Sequence, residues 1–394
     1  MVSSPQLMIV AGEASGDVLG AELVSEIRAI APSLSIFGTP GPQMRAAGVE
    51  SLIDSDDWSV VGIGAVIRSI PKFLSIKKRL IAAANSRKPS VVILIDFPEF
   101  NLRIANELKK NGHCVIYYVS PQIWAWRKGR IKAIRNSVDL LLSILPFEKE
   151  WYSDEGIEHV TFVGNPISTR TVPTLSREAF CSKYQIESEQ EIVALLPGSR
   201  KREIRRHLPV MLEAAKLLLQ KDVSLQIVIA ASAGNSMLVD QIVSKFRNDG
   251  DLSNLSISSL EGEAINVLNA STVAAVSSGT ATLEAAVIGT PMVVVYKLPK
   301  LDYAIFKHMV QAPHIALVNL IAGKRLVNEF VQDGFTAETL ADELFRLLEP
   351  AENAKMRTEL TASTSHLRYG SPSQRAAQEI LNFIKKKTGN GFGA

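Results

Sequence analysis

Ile9-Val10-Ala11-Gly12-Glu13-Ala14-Ser15-Gly16-Asp17 is the stretch that decides the fold. The end of an apolar run meets a glycine turn, and a helical stretch over residues 16–30 opens directly behind it. That is the signature of a βα unit, in which a buried parallel strand passes the chain to a crossover helix. The same order returns in the second half at Leu195-Leu196-Pro197-Gly198-Ser199-Arg200, ahead of a predicted helix over residues 203–220. Working outward from the first unit, β-branched apolar runs at 7–11, 34–37, 91–95, 114–119, 140–144 and 160–163 alternate with helical patterns at 16–30, 71–85 and 102–111. The alternation then restarts, with strands at 192–196, 225–230, 255–258, 273–276 and 292–296 and helices at 203–220, 236–247 and 280–288. Two successive βα series predict an α/β chain of two Rossmann-like, doubly wound domains with a cleft between them. Pro166, Pro173 and several Ser/Thr residues interrupt both periodicities over 165–177. The expected division is therefore 1–168, 169–370 and a closing segment 371–394. Helices at 337–348, 353–367 and 373–387 finish the chain, the last starting at Ser371-Pro372.

Composition narrows the function. The chain has 394 residues, 46% apolar and 21% charged, enough for large cores and far from the profile of disorder. A net charge of +3 is too mild to coat nucleic acid. Two cysteines, Cys114 and Cys181, make neither a disulfide framework nor a CxxC zinc site. The apolar run at 7–11 is too short for an export signal, and the longest uncharged stretches fall short of a membrane span. The expectation is a soluble cytoplasmic chain whose membrane contact is peripheral. There is no GxxxxGK[ST], GxGxxG after the first strand, HExxH or GxSxG, and the six histidines show no metal-ligand spacing. Of two DxD-like triplets, Asp249-Gly250-Asp251 sits in a polar turn and Asp54-Ser55-Asp56 in an acidic loop before Trp58, and neither makes a good metal site.

Four places could carry chemistry. In the first turn, Gly12 and Gly16 let the backbone approach a ligand, and Glu13, Ser15 and Asp17 crowd polar groups there; the alternative is a plain turn in which Ser15 or Asp17 caps the helix. In the second, Gly198 shapes the bend, Ser199 can cap the helix, and Arg200 offers a planar fork to a diphosphate. Lys201, Arg202, Arg205 and Arg206 read as a solvated face. Ser277-Ser278-Gly279-Thr280 ends another apolar run and opens a helix whose free N–H groups suit a diphosphate, with Glu284 one turn on for ribose hydroxyls. Asp96 directly follows the 91–95 run, where a carboxylate can act as general base or simply close the turn. Apart from these, the apolar stretch 58–74, with Val61, Ile63, Val66, Ile67 and Phe73, is flanked by Lys72, Lys77, Lys78 and Arg79. It suits a lipid interface or an amphipathic element buried in its own domain.

Seven blocks, AGEASGD, ILIDFPEFN, YYVSPQIWAWRKGRIKAI, LPFEKEWY, LLPGSRKREI, SSGTATLEAAVIGTPMVVVY and LVNLIAGKRLVNE, occur in the order and spacing of lipid-A-disaccharide synthases. The resemblance runs from about residue 9 to 329. It implies a GT-B glycosyltransferase that needs neither metal nor other cofactor. The family moves 2,3-diacylglucosamine from UDP-2,3-diacylglucosamine to the 6-hydroxyl of 2,3-diacylglucosamine 1-phosphate, giving UDP and a β-1,6-linked disaccharide. By the resemblance, Asp96 is the general base and Arg200 assists the departing diphosphate. Gly198, Ser199, Arg200, Ser278, Gly279, Thr280, Glu284 and Asn319 would contact the nucleotide sugar, and Glu13, Ser15 and Asp17 the acceptor. It further implies an acceptor- and lipid-binding first domain, a UDP-sugar-binding second domain, homodimers, and peripheral attachment to the inner membrane. The chain departs from the family twice. Asn165 stands where the family usually has histidine, and Ala65 where it commonly has glutamate, which bears on acceptor geometry or acyl preference. Rival readings are another GT-B enzyme acting on UDP-N-acetylglucosamine, or a non-catalytic nucleotide- or lipid-binding module.

Overall fold

The computed structural model describes residues 5–54, 63–126, 128–221, 224–248, 256–306, 312–368 and 370–388. The chain forms two compact units, Met1–Pro166 with Tyr369–Ala394, and Ile167–Arg368. In the first, strands β1 (Gln6–Ala11), β2 (Ser35–Thr39), β3 (Glu50–Ser51), β4 (Val91–Ile95), β5 (Val115–Tyr118), β6 (Leu140–Ser143) and β7 (Val160–Phe162) form one sheet. Their order is β3-β2-β1-β4-β5-β6-β7, and every pairing is parallel. Leu7, Ile9 and Ala11 enter the core on one face of this sheet, while Met8 and Val10 enter the core on the other. Burial on both faces is why these strands read as unbroken apolar runs instead of alternating ones.

Helix Pro372–Thr388 completes the first unit. It lies along helix Ala14–Ile30, and Ala376, Ala377, Ile380 and Ile384 are buried in the same core as β1 and β4. The closing segment is thus structural for this unit. Helix Ile63–Arg87 starts eight residues before the predicted boundary and carries Pro71 inside it, whereas the first-turn preference of proline predicts a start at that residue. Helix Pro98–Lys110 likewise begins earlier than predicted, with Pro98 in its first turn.

The second unit holds β8 (Ile192–Leu196), β9 (Gln226–Ala231), β10 (Ile257–Glu261), β11 (Val273–Ser277), β12 (Met292–Tyr296) and β13 (Glu329–Val331), ordered β10-β9-β8-β11-β12-β13 and again all parallel. Helix Lys201–Lys221 covers it with Ile204, Leu208, Met211, Leu212, Ala215 and Leu218, an apolar stripe at helical spacing. No helix among the described residues is long and apolar enough to cross a membrane.

Each sheet changes its direction of growth once. In the first unit that point lies between β1 and β4, and in the second between β8 and β11. Loops leaving the C-terminal ends of such a strand pair diverge and open a crevice where α/β proteins bind ligands.

Candidate active site

In the second unit both predicted turns leave this switch point. Val276 of β11 pairs with Leu196 of β8, so residues 197–200 and 277–280 emerge side by side. Residues 198–200 and 277–280 line one cavity of about 330 Å³ together with Ala230, Ser232, Glu203 and Glu284. Gly198 has φ +116°, and a side chain there would lie 2.8 Å from a Glu203 carboxylate oxygen, so only glycine fits. Arg200 is 78% exposed at the cavity rim, its guanidinium 3.0 Å from Glu203. Ser199 and Thr280 are also exposed. Gly279 leads into helix Thr280–Ile288, and the space where a side chain would sit is open. The N-terminal amides of that helix face the cavity with the positive end of its dipole. Half-buried Glu284 lies one turn in, and burial pushes its carboxyl above the ordinary range. Ser277 adds a hydroxyl outside the predicted contacts. It is 4% exposed, lines the cavity and has no hydrogen-bond partner among the described residues.

The first unit builds a different site at its own switch point. Asp96 leaves β4 with φ +45° and Phe97 follows at φ +48°, two consecutive left-handed residues without glycine. Such positions cost about 1–3 kcal/mol each and persist only where surroundings fix them. Here the Asp96 carbonyl accepts from Asn101 Nδ2 at 2.8 Å and from the Tyr117 hydroxyl at 2.6 Å, while its amide donates to Tyr118 at 3.0 Å. The Phe97 ring lies over Gly12, whose missing side chain would come within 2.5 Å of it. The Asp96 loop therefore packs onto the loop that bears Glu13. Burial, helped by the Glu13 charge and opposed by the Phe97 amide, pushes the Asp96 carboxyl up to about 6. A carboxylate poised there, with backbone pinned and side chain near a second acid, is suited to accept a proton near neutral pH.

Likeness to known proteins decides the family. A family model described as lipid-A-disaccharide synthetase matches residues 7–382. The lipid-A-disaccharide synthase of Myxococcus xanthus is 41% identical over 98% of this chain and 99% of its own length. That of Geobacter metallireducens is 38% identical over 97% and 98%. The chain belongs to the lipid-A-disaccharide synthetase family. Its fold is GT-B-like. A Neisseria meningitidis UDP-GlcNAc 2-epimerase bound to UDP-GlcNAc superposes with TM-score 0.60 at 12% identity over 97% of this chain and 100% of that one. A glycosyltransferase from Rickettsia africae gives 0.59 at 13% over 99% and 100%. At such identities the likeness is one of fold alone.

Two of the expected ligand contacts are engaged inside the fold instead. Asp17 is 2% exposed, and its carboxylate accepts from the amides of Gly41 (2.8 Å), Gln43 (2.8 Å) and Met44 (3.1 Å). It caps the neighbouring helix Pro42–Ala46, and the three amides take three of its four acceptor sites, which leaves it buried and structural. Asp17→Ala should therefore lower the stability of the first unit by about 2–3 kcal/mol, three amides losing their acceptor, while KM values hold. Thermal denaturation beside steady-state kinetics checks this. Asn319 is fully buried with all four hydrogen bonds spent, from Nδ2 to Val327 O (2.9 Å) and Glu329 (2.8 Å), and to Oδ1 from the Leu326 and Val327 amides. Its effect on the cavity is indirect. Glu329 accepts from the Ile315 and Ala316 amides, and the Ile315 carbonyl accepts the Ser278 hydroxyl at 2.9 Å. Ser278 thus anchors its turn through Oγ, and its amide is spent on Val295. Glu13 and Ser15 remain exposed at the start of helix Ala14–Ile30.

The lipid-facing expectation divides. Val61 and the side chains of Ile63, Val66, Ile67 and Ala65 lie outside the described residues. Phe73 instead packs in an aromatic cluster with Phe97 and Phe100 at centroid distances of 6.2 and 5.8 Å, buttressing the Asp96 loop. Lys77 pairs with Glu107, Arg79 donates to the Leu52 carbonyl, and Lys78 and Leu74 are exposed. Asn165 is buried. Sequence reasoning also missed Glu148. Fully buried, it accepts from Ser120, from Trp124 Nε1 at 3.0 Å and from the Leu145 amide at 3.2 Å, joining the SPQIWAW and LPFEKEWY blocks; burial pushes its carboxyl up to about 7. A second cavity of this unit, about 620 Å³, is an apolar groove around Pro209, Ile242, Phe246 and Phe335, and shares no lining residue with either turn.

Proposed function

We propose that this chain transfers 2,3-diacylglucosamine from UDP to the 6-hydroxyl of 2,3-diacylglucosamine 1-phosphate. What carries the reading is the meeting of two amide-rich turns, Arg200 and Glu284 around one cavity of the second unit. Diphosphate oxygens match the amides around Gly279 and the guanidinium fork of Arg200, and ribose hydroxyls match the Glu284 carboxylate. As the acceptor oxygen attacks the anomeric carbon, its proton passes to Asp96. The bond from that carbon to the diphosphate breaks, and charge growing on the leaving oxygen is stabilised by Arg200 and the amides. Attack opposite the leaving group inverts the anomeric centre and gives the β-linkage.

Glu13 and Ser15 are suited to orient acceptor hydroxyls beside Asp96. Exposed Leu74, Lys78 and Arg79 on helix Ile63–Arg87 fit an apolar and cationic contact with the inner-membrane surface. The same reading takes the chain to work on the cytoplasmic side, as a homodimer.

The test is an assay with both defined diacylated substrates, reading disaccharide 1-phosphate by mass. Product that requires acyl chains on both sugars supports the reading. Epimerisation of UDP-N-acetylglucosamine alone, with no disaccharide, overturns it. Within that assay Glu284→Ala should raise the donor KM about tenfold with the acceptor KM unchanged, the loss of one charge-assisted hydrogen-bond set.

A further inference from the structure

A turn can offer its amides to an anion only if its carbonyls point elsewhere. In the turn after β8 each of three successive carbonyls has a side chain waiting for it, and none of these side chains stands out in the sequence. His207 Nδ1 lies 2.9 Å from the Pro197 carbonyl. Asn235 Nδ2 donates to the Ser199 carbonyl at 3.1 Å and to Ser232 Oγ at 2.9 Å. That hydroxyl lies 3.5 Å from the Gly198 carbonyl. Among the described residues no acceptor meets the Gly198 or Ser199 amide.

His207 is fully buried on helix Lys201–Lys221, and its second nitrogen accepts the Lys297 amide at 3.0 Å. The partners fix the tautomer. A carbonyl can only accept, so Nδ1 carries the proton; an amide can only donate, so Nε2 is bare. Burial pushes the imidazole below its usual range, which keeps it in this neutral form. Tyr296 and Phe335 pack beside the ring at centroid distances of 5.6 and 5.9 Å and hold its plane. Asn235 is 7% exposed at the start of helix Ser236–Asn248, so it too has one position.

We infer that His207 and Asn235 are positioning residues for the diphosphate: by holding the Pro197 and Ser199 carbonyls they turn the amides of this bend toward the cavity. The inference rests on the UDP reading of that cavity. Neither side chain lines the cavity itself, so each acts through the backbone. A nucleoside without phosphates does not use those amides, and this separates positioning from general damage to the fold.

The experiment measures UDP and uridine affinities by calorimetry on the full chain, wild type and His207→Leu, His207→Gln and Asn235→Ala. We expect UDP affinity to fall about tenfold in His207→Leu and Asn235→Ala, with uridine within about twofold. His207→Gln, whose amide likewise offers a nitrogen donor and an oxygen acceptor, should restore most of the loss. Donor KM should rise in step while acceptor KM holds. Should His207→Leu fail to fold, Asn235→Ala carries the test alone. Equal losses for UDP and uridine, or no loss for either, overturn the inference while leaving the UDP reading intact. A wild-type protein that binds no UDP overturns both.

Discussion

Asp96→Asn is expected to lower kcat by about a thousandfold or more while UDP affinity stays within about twofold. The asymmetry follows from where the residue sits. Asp96 belongs to the first unit, whereas the cavity proposed for the nucleotide is lined wholly by residues of the second. Its backbone is held in a left-handed bend by Asn101 and Tyr117 through the carbonyl, so the asparagine variant keeps the bend and loses only the carboxylate. The pH profile follows from a carboxyl raised to about 6. Only the ionised form accepts a proton, so kcat/KM should climb as pH rises through about 6. Glu13→Gln removes a like charge, lowers the Asp96 value and moves that limb to lower pH. Stability runs the other way. A carboxyl whose folded value lies above its unfolded one penalises the fold once pH exceeds the unfolded value. Asp96→Asn should therefore be the more stable protein at pH 7.5, by up to about 3 kcal/mol, and lose the advantage below about pH 4. Turnover within tenfold of wild type would remove Asp96 as base, and an unchanged melting temperature at both pH values would contradict its burial.

What the sequence could reveal depended on whether the relevant partner was near in the chain. Val91–Ile95 and Ile192–Leu196 appear at their predicted limits because strands buried on both faces are apolar throughout. Residues at the ends of such runs, Asp96 and the 197–200 and 277–280 turns, are legible as C-terminal edges from the apolar pattern alone. β3 and β13, two and three residues long, leave no periodicity to read. Side-chain fate was least legible. Asp17 has the composition of a ligand residue, yet it is buried and three of its acceptor sites are taken by amides 24 to 27 positions away. Asn319 lies in a family block and works through Glu329 instead of touching the cavity. His207 reads as one of six scattered histidines until Pro197 and Lys297, 10 and 90 positions away, are seen on its two nitrogens. Motifs mark which backbone meets the ligand; which side chains are free to meet it depends on folding.

Arg200→Ala should reduce kcat/KM by about two to three orders of magnitude and weaken UDP about tenfold, with thermal stability unchanged. The stability clause is the one the geometry fixes most tightly. Arg200 is 78% exposed, and its ion pair to Glu203 three residues on is of the surface kind that contributes little. Glu203 is better placed than Arg200 to matter for the fold, since its side chain is mostly buried against Gly198 and near the Arg200 amide. An exposed guanidinium steadied from below by one carboxylate keeps most of its donors for a ligand, and a departing diphosphate gains charge as the sugar leaves it. The interaction therefore strengthens in the transition state, and kcat should fall by more than donor affinity. Arg200→Lys restores charge without the fork, so it should recover binding better than rate. If lysine recovers both equally, the residue acts as a point charge that attracts the nucleotide, and stabilisation of the leaving group must be assigned to the amides around Gly279 alone.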